Sequence, residues 1–200
     1  MNKKTRRCSS CRKKVPADSI YQSNLKAFCS SECLVQYVRS PQGEKTRHKA
    51  VQSDLRQRKA KLKTKGQWMK EAQAAFNAYV RARDRHYKRR CISCDKFLNY
   101  EKTGGEVDAG HYIARGSMKG HSLRFHLWNC HAQCVACNRH RNGNVSGYRV
   151  GLVWRIGHEK VEWLEDHDHQ VDYSVDYLKR IKNIFAKKCK KMVYKFHEKS

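Results

Sequence analysis

Eight of the ten cysteines fall into four short pairs: Cys8 with Cys11, Cys29 with Cys33, Cys91 with Cys94, and Cys134 with Cys137. Two thiolates separated by two or three residues can face one tetrahedral ion at about 2.3 Å, whereas a disulfide across so short a turn is strained. The spacing predicts two structural zinc sites, one from Cys8, Cys11, Cys29 and Cys33 and one from Cys91, Cys94, Cys134 and Cys137, with Cys130 and Cys189 left over. Reduced thiols scattered through a core would not explain the pairing. Between Cys94 and Cys134 lie 39 residues, and they carry the runs Asp108-Ala109-Gly110-His111 and Leu127-Trp128-Asn129-Cys130-His131. Asn138 follows the last paired cysteine, and Asn142 comes one helical turn later. Hydrolysis of a phosphodiester needs a deprotonated water, neutralisation of the phosphoryl oxygens and help for the leaving oxygen; a neutral histidine beside one divalent ion can supply all three. His111 is the candidate general base, with its other ring nitrogen oriented by a backbone carbonyl or by Asn129. His126 and His131 are open to several roles: a supporting hydrogen bond, a substrate contact, a replacement ligand at the cation or, for His131, a zinc ligand in place of Cys134.

Positioning such a set requires a CxxC knuckle, a hairpin that carries the histidine, and a second CxxC that opens a short helix, all tied by one zinc. The segment Phe28 to Val38 has Cys29 and Cys33 four apart at the start of a helical pattern, so both sulfurs reach one face toward a metal already held by Cys8 and Cys11. Ser40-Pro41-Gln42-Gly43 then breaks the pattern. An apolar stripe at Trp68, Met69, Ala72, Phe76, Tyr79 and Val80 has helical spacing and reads as core rather than as a base-stacking surface. Tyr148 to Ile156 is a short amphipathic helix ended by Gly157-His158, and a last helix from about Ser174 to Phe196 buries Tyr177, Leu178, Ile181, Phe185 and Met192.

Charge narrows the partners. Lys and Arg number 44 against 18 Asp and Glu, a net charge of +26, and a surplus of that size calls for a polyanion. From Glu44 to Arg90 the chain has 16 basic residues against four acidic ones, too one-sided for a solvated face, so this stretch reads as a phosphate-contacting arm that includes Arg56, Arg58, Lys59, Lys61 and Lys63. Arg115, Arg139 and Arg141 sit nearer the histidine and fit phosphate clamps, because a guanidinium fork matches phosphate oxygens. Between Glu159 and Asp176 the balance reverses to seven acids and one lysine. Asp166, His167, Asp168, His169 and Asp172 in that stretch lack the fixed spacing of a hard-cation site, and the region reads as a solubilising loop.

The expected fold class is α+β, mostly α, made of small zinc-stapled modules: a four-cysteine knuckle at 1–40, a basic helical linker at 41–90, a core with the second zinc site at 91–147 and a C-terminal helical segment at 148–200. No run approaches the 18 or so apolar residues of a membrane span, and the basic start of the chain lacks a hydrophobic signal region, so a cytosolic protein with reduced thiols is expected.

The order of these residues resembles the HNH, or ββα-metal, endonuclease superfamily, including its zinc-containing, treble-clef-like phage members. The resemblance implies a histidine base at the end of the first strand, an asparagine brace upstream of the second CxxC, and a cation ligand after the last cysteine; His111, Asn129 and Asn138 match these positions. Many members place an acid directly before the histidine. Here Gly110 stands there, and Asp108 is the nearest acid and the candidate second ligand. Over nearly the whole chain, the strings DAGHYIARG, LRFHLWNCHAQCVACNRHRNGN and YRVGLVWRIG behind the N-terminal knuckle are similar to the NinG/Rap family of lambdoid phage recombination proteins. That resemblance implies a structure-specific endonuclease acting on branched DNA such as Holliday junctions and D-loops, with magnesium or manganese as catalytic cation and a homodimer as one way to pair cuts. A non-catalytic zinc-finger protein would use the same arm and cysteines, but it leaves His111, Asn129 and Asn138 without a task. An RNA-binding protein fits the basic linker, yet the aromatic stacking motif of the usual RNA modules is missing.

Overall fold

The computed structural model describes residues 5–23, 26–101, 105–117, 122–167 and 171–197, and divides into two units, residues 1–63 and 64–200. Both are mostly helical with small two-stranded sheets, the α+β class expected.

In the first unit, β1 (Thr5–Arg7) pairs antiparallel with β2 (Lys14–Pro16), and β3 (Tyr21–Ser23) with β4 (Lys26–Phe28). Helix α1 (Ser31–Arg39) starts on Ser30, whose hydroxyl accepts from the Cys33 N–H and so fixes the turn that presents Cys29 and Cys33. The expected break at Ser40-Pro41-Gln42-Gly43 is a change of helix with no loop: Ser40 ends α1 and caps α2 (Pro41–Lys61), and Pro41 opens it at the position where a missing N–H costs nothing. A side chain at Gly43 would strike the Tyr37 carbonyl, its Cβ falling 1.9 Å from that oxygen, so glycine is what allows the close turn. Beyond Gly43 nearly every residue of α2 is exposed and the helix has no apolar stripe, which leaves good helix formers such as Ala, Gln, Arg and Lys to hold it.

The second unit begins with α3 (Lys65–His86), capped by a reciprocal Thr64–Gln67 box. The stretch 41–90 is therefore not one linker. Its second half carries the apolar stripe into a core, where Trp68, Ala72, Phe76, Tyr79 and Val80 are buried. Phe76 packs edge-on against Phe185 with ring centroids 4.8 Å apart, joining α3 to the last helix, which runs from Val175 to His197. Burying an aromatic side chain of that size is worth about 1.5–3 kcal/mol. Strands β5 (Val107–His111) and β6 (Cys130–Cys134) form an antiparallel pair in which His111 lies opposite Cys130 and Gly110 opposite His131.

After β6 comes a single π turn, Ala136–His140, and then a reversal in which Asn142, Gly143 and Asn144 all have positive φ. Asn142 thus stands in a left-handed turn, not one turn further along a helix. Helix α4 (Val145–Ile156) follows, and Gly147 and Gly151 let it lie directly on the first CxxC of this unit, since a Cβ there would sit 2.2 Å from the Ser93 carbonyl oxygen and 1.9 Å from that of Ile92. Gly157, at φ 89°, turns the chain into α5 (His158–Asp166). The acidic stretch expected as a loop is helical over those residues because Val161 and Leu164, three apart, are fully buried against Leu152 and Tyr148. Asp168 and His169 lie outside the described residues. The C-terminal helix Val175–His197, α6, buries Leu178 and Phe185 as the spacing predicts, while Tyr177, Ile181 and Met192 are only half-buried. No helix among the described residues is long and apolar enough to cross a membrane.

Candidate functional site

Two cysteine tetrads have the geometry to hold metal, Cys8, Cys11, Cys29 and Cys33, and Cys91, Cys94, Cys134 and Cys137, each with its sulfurs within 4.8 Å of one another. Four thiolates around zinc lie roughly 3.8 Å apart when each bond is about 2.3 Å, close to the 3.5 Å from Cys11 to Cys29 and 3.9 Å from Cys94 to Cys134. Without a cation the sulfurs cannot all ionise. Burial opposes ionisation of Cys8, yet N–H groups of Cys29, Cys11 and Ser10 bring it down to about 6, while the thiols of Cys33 and Cys11 push Cys29 up to about 12. The second tetrad splits likewise, with Cys91 lowered and Cys94 raised to about 12. A divalent ion removes that conflict by favouring every thiolate. An all-sulfur set fits zinc. The second set is also hydrogen-bonded from outside, by Cys134 N–H to Cys91 Sγ (3.3 Å), Cys137 N–H to Cys134 Sγ (3.4 Å) and the Asn144 amide to Cys137 Sγ (3.4 Å).

His111 closes β5 on the wall of a cleft of about 580 Å³ whose lining includes Arg115, Arg124, Asn138 and Asn142. Its Nε2 lies 3.0 Å from the Arg124 carbonyl oxygen. A carbonyl only accepts, so Nε2 carries the proton and Nδ1 keeps a lone pair. Cys130 faces Nδ1, with its Sγ at 3.6 Å; that thiol is buried and held protonated by the burial. Burial, reinforced by the charges of Arg115 and Arg124 and opposed by the carbonyl contact, brings the His111 pKa down to about 4, so the ring is neutral at pH 7.

Asn129 does not touch the ring. Its buried amide holds the loop that leaves β5, accepting from the Ile113 N–H at 2.7 Å and donating to the carbonyls of Ile113 and Leu123 at 3.1 and 3.3 Å. It braces the peptide beside His111, and Arg124 supplies the direct contact. Gly110 is explained by Gln133. A Cβ at 110 would fall 2.1 Å from Gln133 Oε1, and Gln133 is fixed in the core by its bonds to Ser93 and the Gly143 carbonyl. No acid fits there. Asp108, one pleat earlier on the same side of the strand, meets the Asn138 amide at 2.9 Å. It is also clasped by Arg139 through Nε and a terminal nitrogen, at 2.7 and 2.8 Å. Partial burial works against its ionisation, but Arg139 and Asn138 keep the carboxyl below the usual carboxylate range. The structure thus brings Asp108 and Asn138 together as side-chain neighbours, and Arg139, expected as a phosphate clamp, is engaged by Asp108.

The remaining residues sort by surroundings. Arg115 and Arg141 are exposed. Arg56, Arg58, Lys59 and Lys61 are exposed on α2, where Arg58 pairs with Asp54 at 2.8 Å, and Lys63 follows the helix partly covered. His131 is neither a zinc ligand nor in the cleft. It is buried with Nδ1 3.1 Å from Arg83 and Nε2 3.2 Å from the Trp128 carbonyl, and burial with the Arg83 charge brings its pKa down to about 3. His126 packs edge-on against Trp128 and at a tilt against Trp163. Asp172 is an exposed partner of Lys65. Two buried groups that sequence reasoning passes over are Asp84 and Arg83: Asp84 accepts from Arg83 at 2.7 and 3.0 Å and from the Ala132 N–H at 2.7 Å, pinning the end of α3 to β6.

The family model described as bacteriophage lambda NinG protein matches residues 1–195. The chain belongs to the NinG family. It is similar to protein ninG of Escherichia phage lambda, at 40% identity over 136 residues that cover 68% of this chain and 62% of the relative. Protein ninG of Salmonella phage P22 is also 40% identical, over 68% of this chain and 63% of its own length, and that of Enterobacteria phage H19B is 41% identical over 62% and 58%. The chain therefore aligns with about three-fifths of the length of these NinG relatives. No solved structure matches it.

Proposed function

We propose that this chain is a zinc-stapled endonuclease of the HNH, ββα-metal type that hydrolyses phosphodiester bonds in branched DNA, such as Holliday junctions and D-loops, during phage recombination in the host cytosol. The observation that carries the reading is the state of His111: a neutral ring with one nitrogen tied to the Arg124 carbonyl, on the wall of a cleft shared with Asn138. A structural zinc site needs its four cysteines and nothing more. A neutral imidazole with a fixed tautomer beside a basic cleft is in the protonation state that a general base for phosphoryl chemistry requires.

In this reading Nδ1 of His111 gives up its long contact with the Cys130 thiol and takes the proton from the attacking water, while Nε2–H stays on the Arg124 carbonyl, which stabilises the imidazolium as it forms. Asn129 holds the Ile113 peptide so that the ring does not drift. Asp108 and Asn138, already neighbours, form a set of one carboxylate and one amide that suits a hard cation keeping several waters, and the Arg139 guanidinium on Asp108 is a positive charge in that position. Asp108 and Asn138 would hold magnesium or manganese there, and such an ion would supply charge neutralisation at the phosphoryl and leaving oxygens. The two cysteine tetrads hold zinc, and the exposed basic face of α2 with Lys63 binds the phosphate backbone.

The test is to incubate the zinc-loaded protein with a synthetic four-way junction, a D-loop and a linear duplex of matched sequence, with magnesium and then manganese. Cleavage of the branched substrates and sparing of the duplex are expected. Tight binding with no cut in any substrate under either cation would make it a zinc-finger DNA-binding protein instead. Analytical ultracentrifugation with junction DNA then tells whether a homodimer performs paired cuts.

A further inference from the structure

We propose that Arg115 and Arg124 together form a phosphate seat in the His111 cleft, taking two oxygens of one backbone phosphodiester. Other arginines of the same unit are engaged by carboxylates: Arg83 by Asp84, Arg90 by Asp95, Arg139 by Asp108 and Arg149 by Glu165. Arg115 and Arg124 line the cleft, and neither has a carboxylate partner among the described residues. Arg124 makes one long side-chain contact, from a terminal nitrogen to Gln73 on α3 at 3.3 Å, and its buried Nε has no partner among the described residues. Burial and the neighbouring charge of Arg115 both lower the Arg124 pKa, so the two cations are close enough to repel.

A half-buried guanidinium with a second, exposed one beside it is costly unless an anion completes the pair, and a guanidinium fork matches a phosphate better than any other backbone group of a nucleic acid. Asp108, the nearest acid to His111 in sequence, is already clasped by Arg139 and Asn138. The seat is also fixed to the base. Arg124 would hold the phosphate with its side chain while its carbonyl holds His111 Nε2 at 3.0 Å, so one residue sets the relation between anion and imidazole. That the anion is a DNA phosphodiester rests on the nuclease reading; that the seat takes phosphate does not.

The experiment titrates inorganic phosphate against the zinc-loaded full chain and follows the thermal midpoint, with sodium chloride at matched ionic strength as reference. Arg115→Gln, Arg124→Gln and, as a surface control, Arg180→Gln, exposed on α6, are compared. The parent and Arg180→Gln should be stabilised in a saturable way, and Arg115→Gln and Arg124→Gln should each need at least ~10-fold more phosphate for the same rise, a loss on the scale of one charge-assisted pair. If Arg124→Gln does not fold, Arg115→Gln decides alone, because Arg115 is exposed. Parental phosphate responses in both variants, or an equal loss in Arg180→Gln, would overturn the seat. Cleavage of junction DNA separates the two readings. If the parent cuts nothing but the phosphate pattern holds, the nuclease reading fails and the seat stands; if both variants cut with parental kcat/KM and bind phosphate as the parent does, the seat fails and the nuclease stands.

Discussion

The two cysteine knuckles are nearly the same object at their tips. In the first, Arg12 N–H bonds to the Cys8 carbonyl and Cys8 N–H to the Lys13 carbonyl; in the second, Asp95 N–H bonds to the Cys91 carbonyl and Cys91 N–H to the Lys96 carbonyl. Arg12 and Asp95 both stand at positive φ, 66° and 55°. They part in what the chain does before the second cysteine pair. Seventeen residues separate Cys11 from Cys29 and fold into short turns and hairpins, whereas 39 separate Cys94 from Cys134 and contain β5, the His111 cleft wall and the Asn129 brace. Thiolate spacing builds the staple. The chain looped between the staples decides whether the staple carries chemistry, and only the second loop places a neutral histidine and two arginines without carboxylate partners in one cleft.

The largest effect should come from breaking each staple in turn. Metal analysis of the dialysed parent should find two zinc ions per chain, and Cys91→Ala or Cys134→Ala should unfold the second unit and abolish cleavage, since a structural zinc contributes folding energy outright. Cys8→Ala should cost one zinc and leave the second unit folded. Circular dichroism and zinc stoichiometry read both, and equal damage from Cys8→Ala and Cys91→Ala would erase the contrast between the two knuckles.

Next in size is His111→Ala, which removes the proposed base while leaving every cysteine in place. Zinc content and junction affinity should persist while the cleavage rate falls by roughly 10²- to 10⁴-fold, the usual contribution of a positioned general base. Single-turnover rates on a four-way junction measure it, and a parental rate would end the HNH assignment. Asn138→Ala should act differently, raising the magnesium or manganese concentration needed for half-maximal cleavage.

How much of this was legible in the sequence depended on whether the determinant was local. Cysteine pairs are local, and so is His111 between them. The tautomer-setting contact was only half legible: a backbone carbonyl was expected, but which one cannot be read from side-chain types, and Arg124 reaches the ring through its main chain from 13 positions away. Asp84 hides in a basic stretch, where its burial depends on Ala132 presenting an N–H from a distant strand. Asn142-Gly143-Asn144 did carry a turn signal, since Asn and Gly tolerate positive φ, and reading Asn142 as helical overlooked it. In α5 the four acidic residues masked Val161 and Leu164, although their spacing already marked one buried helix face.

A smaller effect belongs to the arm. Reversing charge at Arg56, Arg58, Lys59, Lys61 and Lys63 should weaken junction binding and flatten its dependence on salt by up to about 0.9 log unit for each phosphate that the arm no longer neutralises. Fluorescence anisotropy across a salt series reads the slope. An unchanged slope would make α2 a solvated helix and leave the second unit to bind DNA alone.

The smallest effect concerns acid sensitivity, and it tests whether the buried neutral His111 is a real energetic feature of the second unit. An unfolded histidine titrates near 6.5, whereas His111 is brought down to about 4 by burial and His131 to about 3. With the folded pKa depressed, the unfolded chain binds more protons between those values, so stability is fully present above about pH 6.5 and is lost as pH falls toward 4. Each group should then contribute a loss of about 1–2 kcal/mol between pH 7 and pH 5. Protonation of the zinc thiolates pushes the same way, so the absolute loss is not diagnostic. The comparison between parent and His111→Ala is, because both carry the same cysteines and the same His131. Denaturant unfolding at pH 7 and pH 5 should show the variant losing about 1–2 kcal/mol less than the parent over that interval. Equal losses in the two proteins would mean that His111 titrates in the folded chain as it does in the unfolded one, and that burial is not what sets its protonation state.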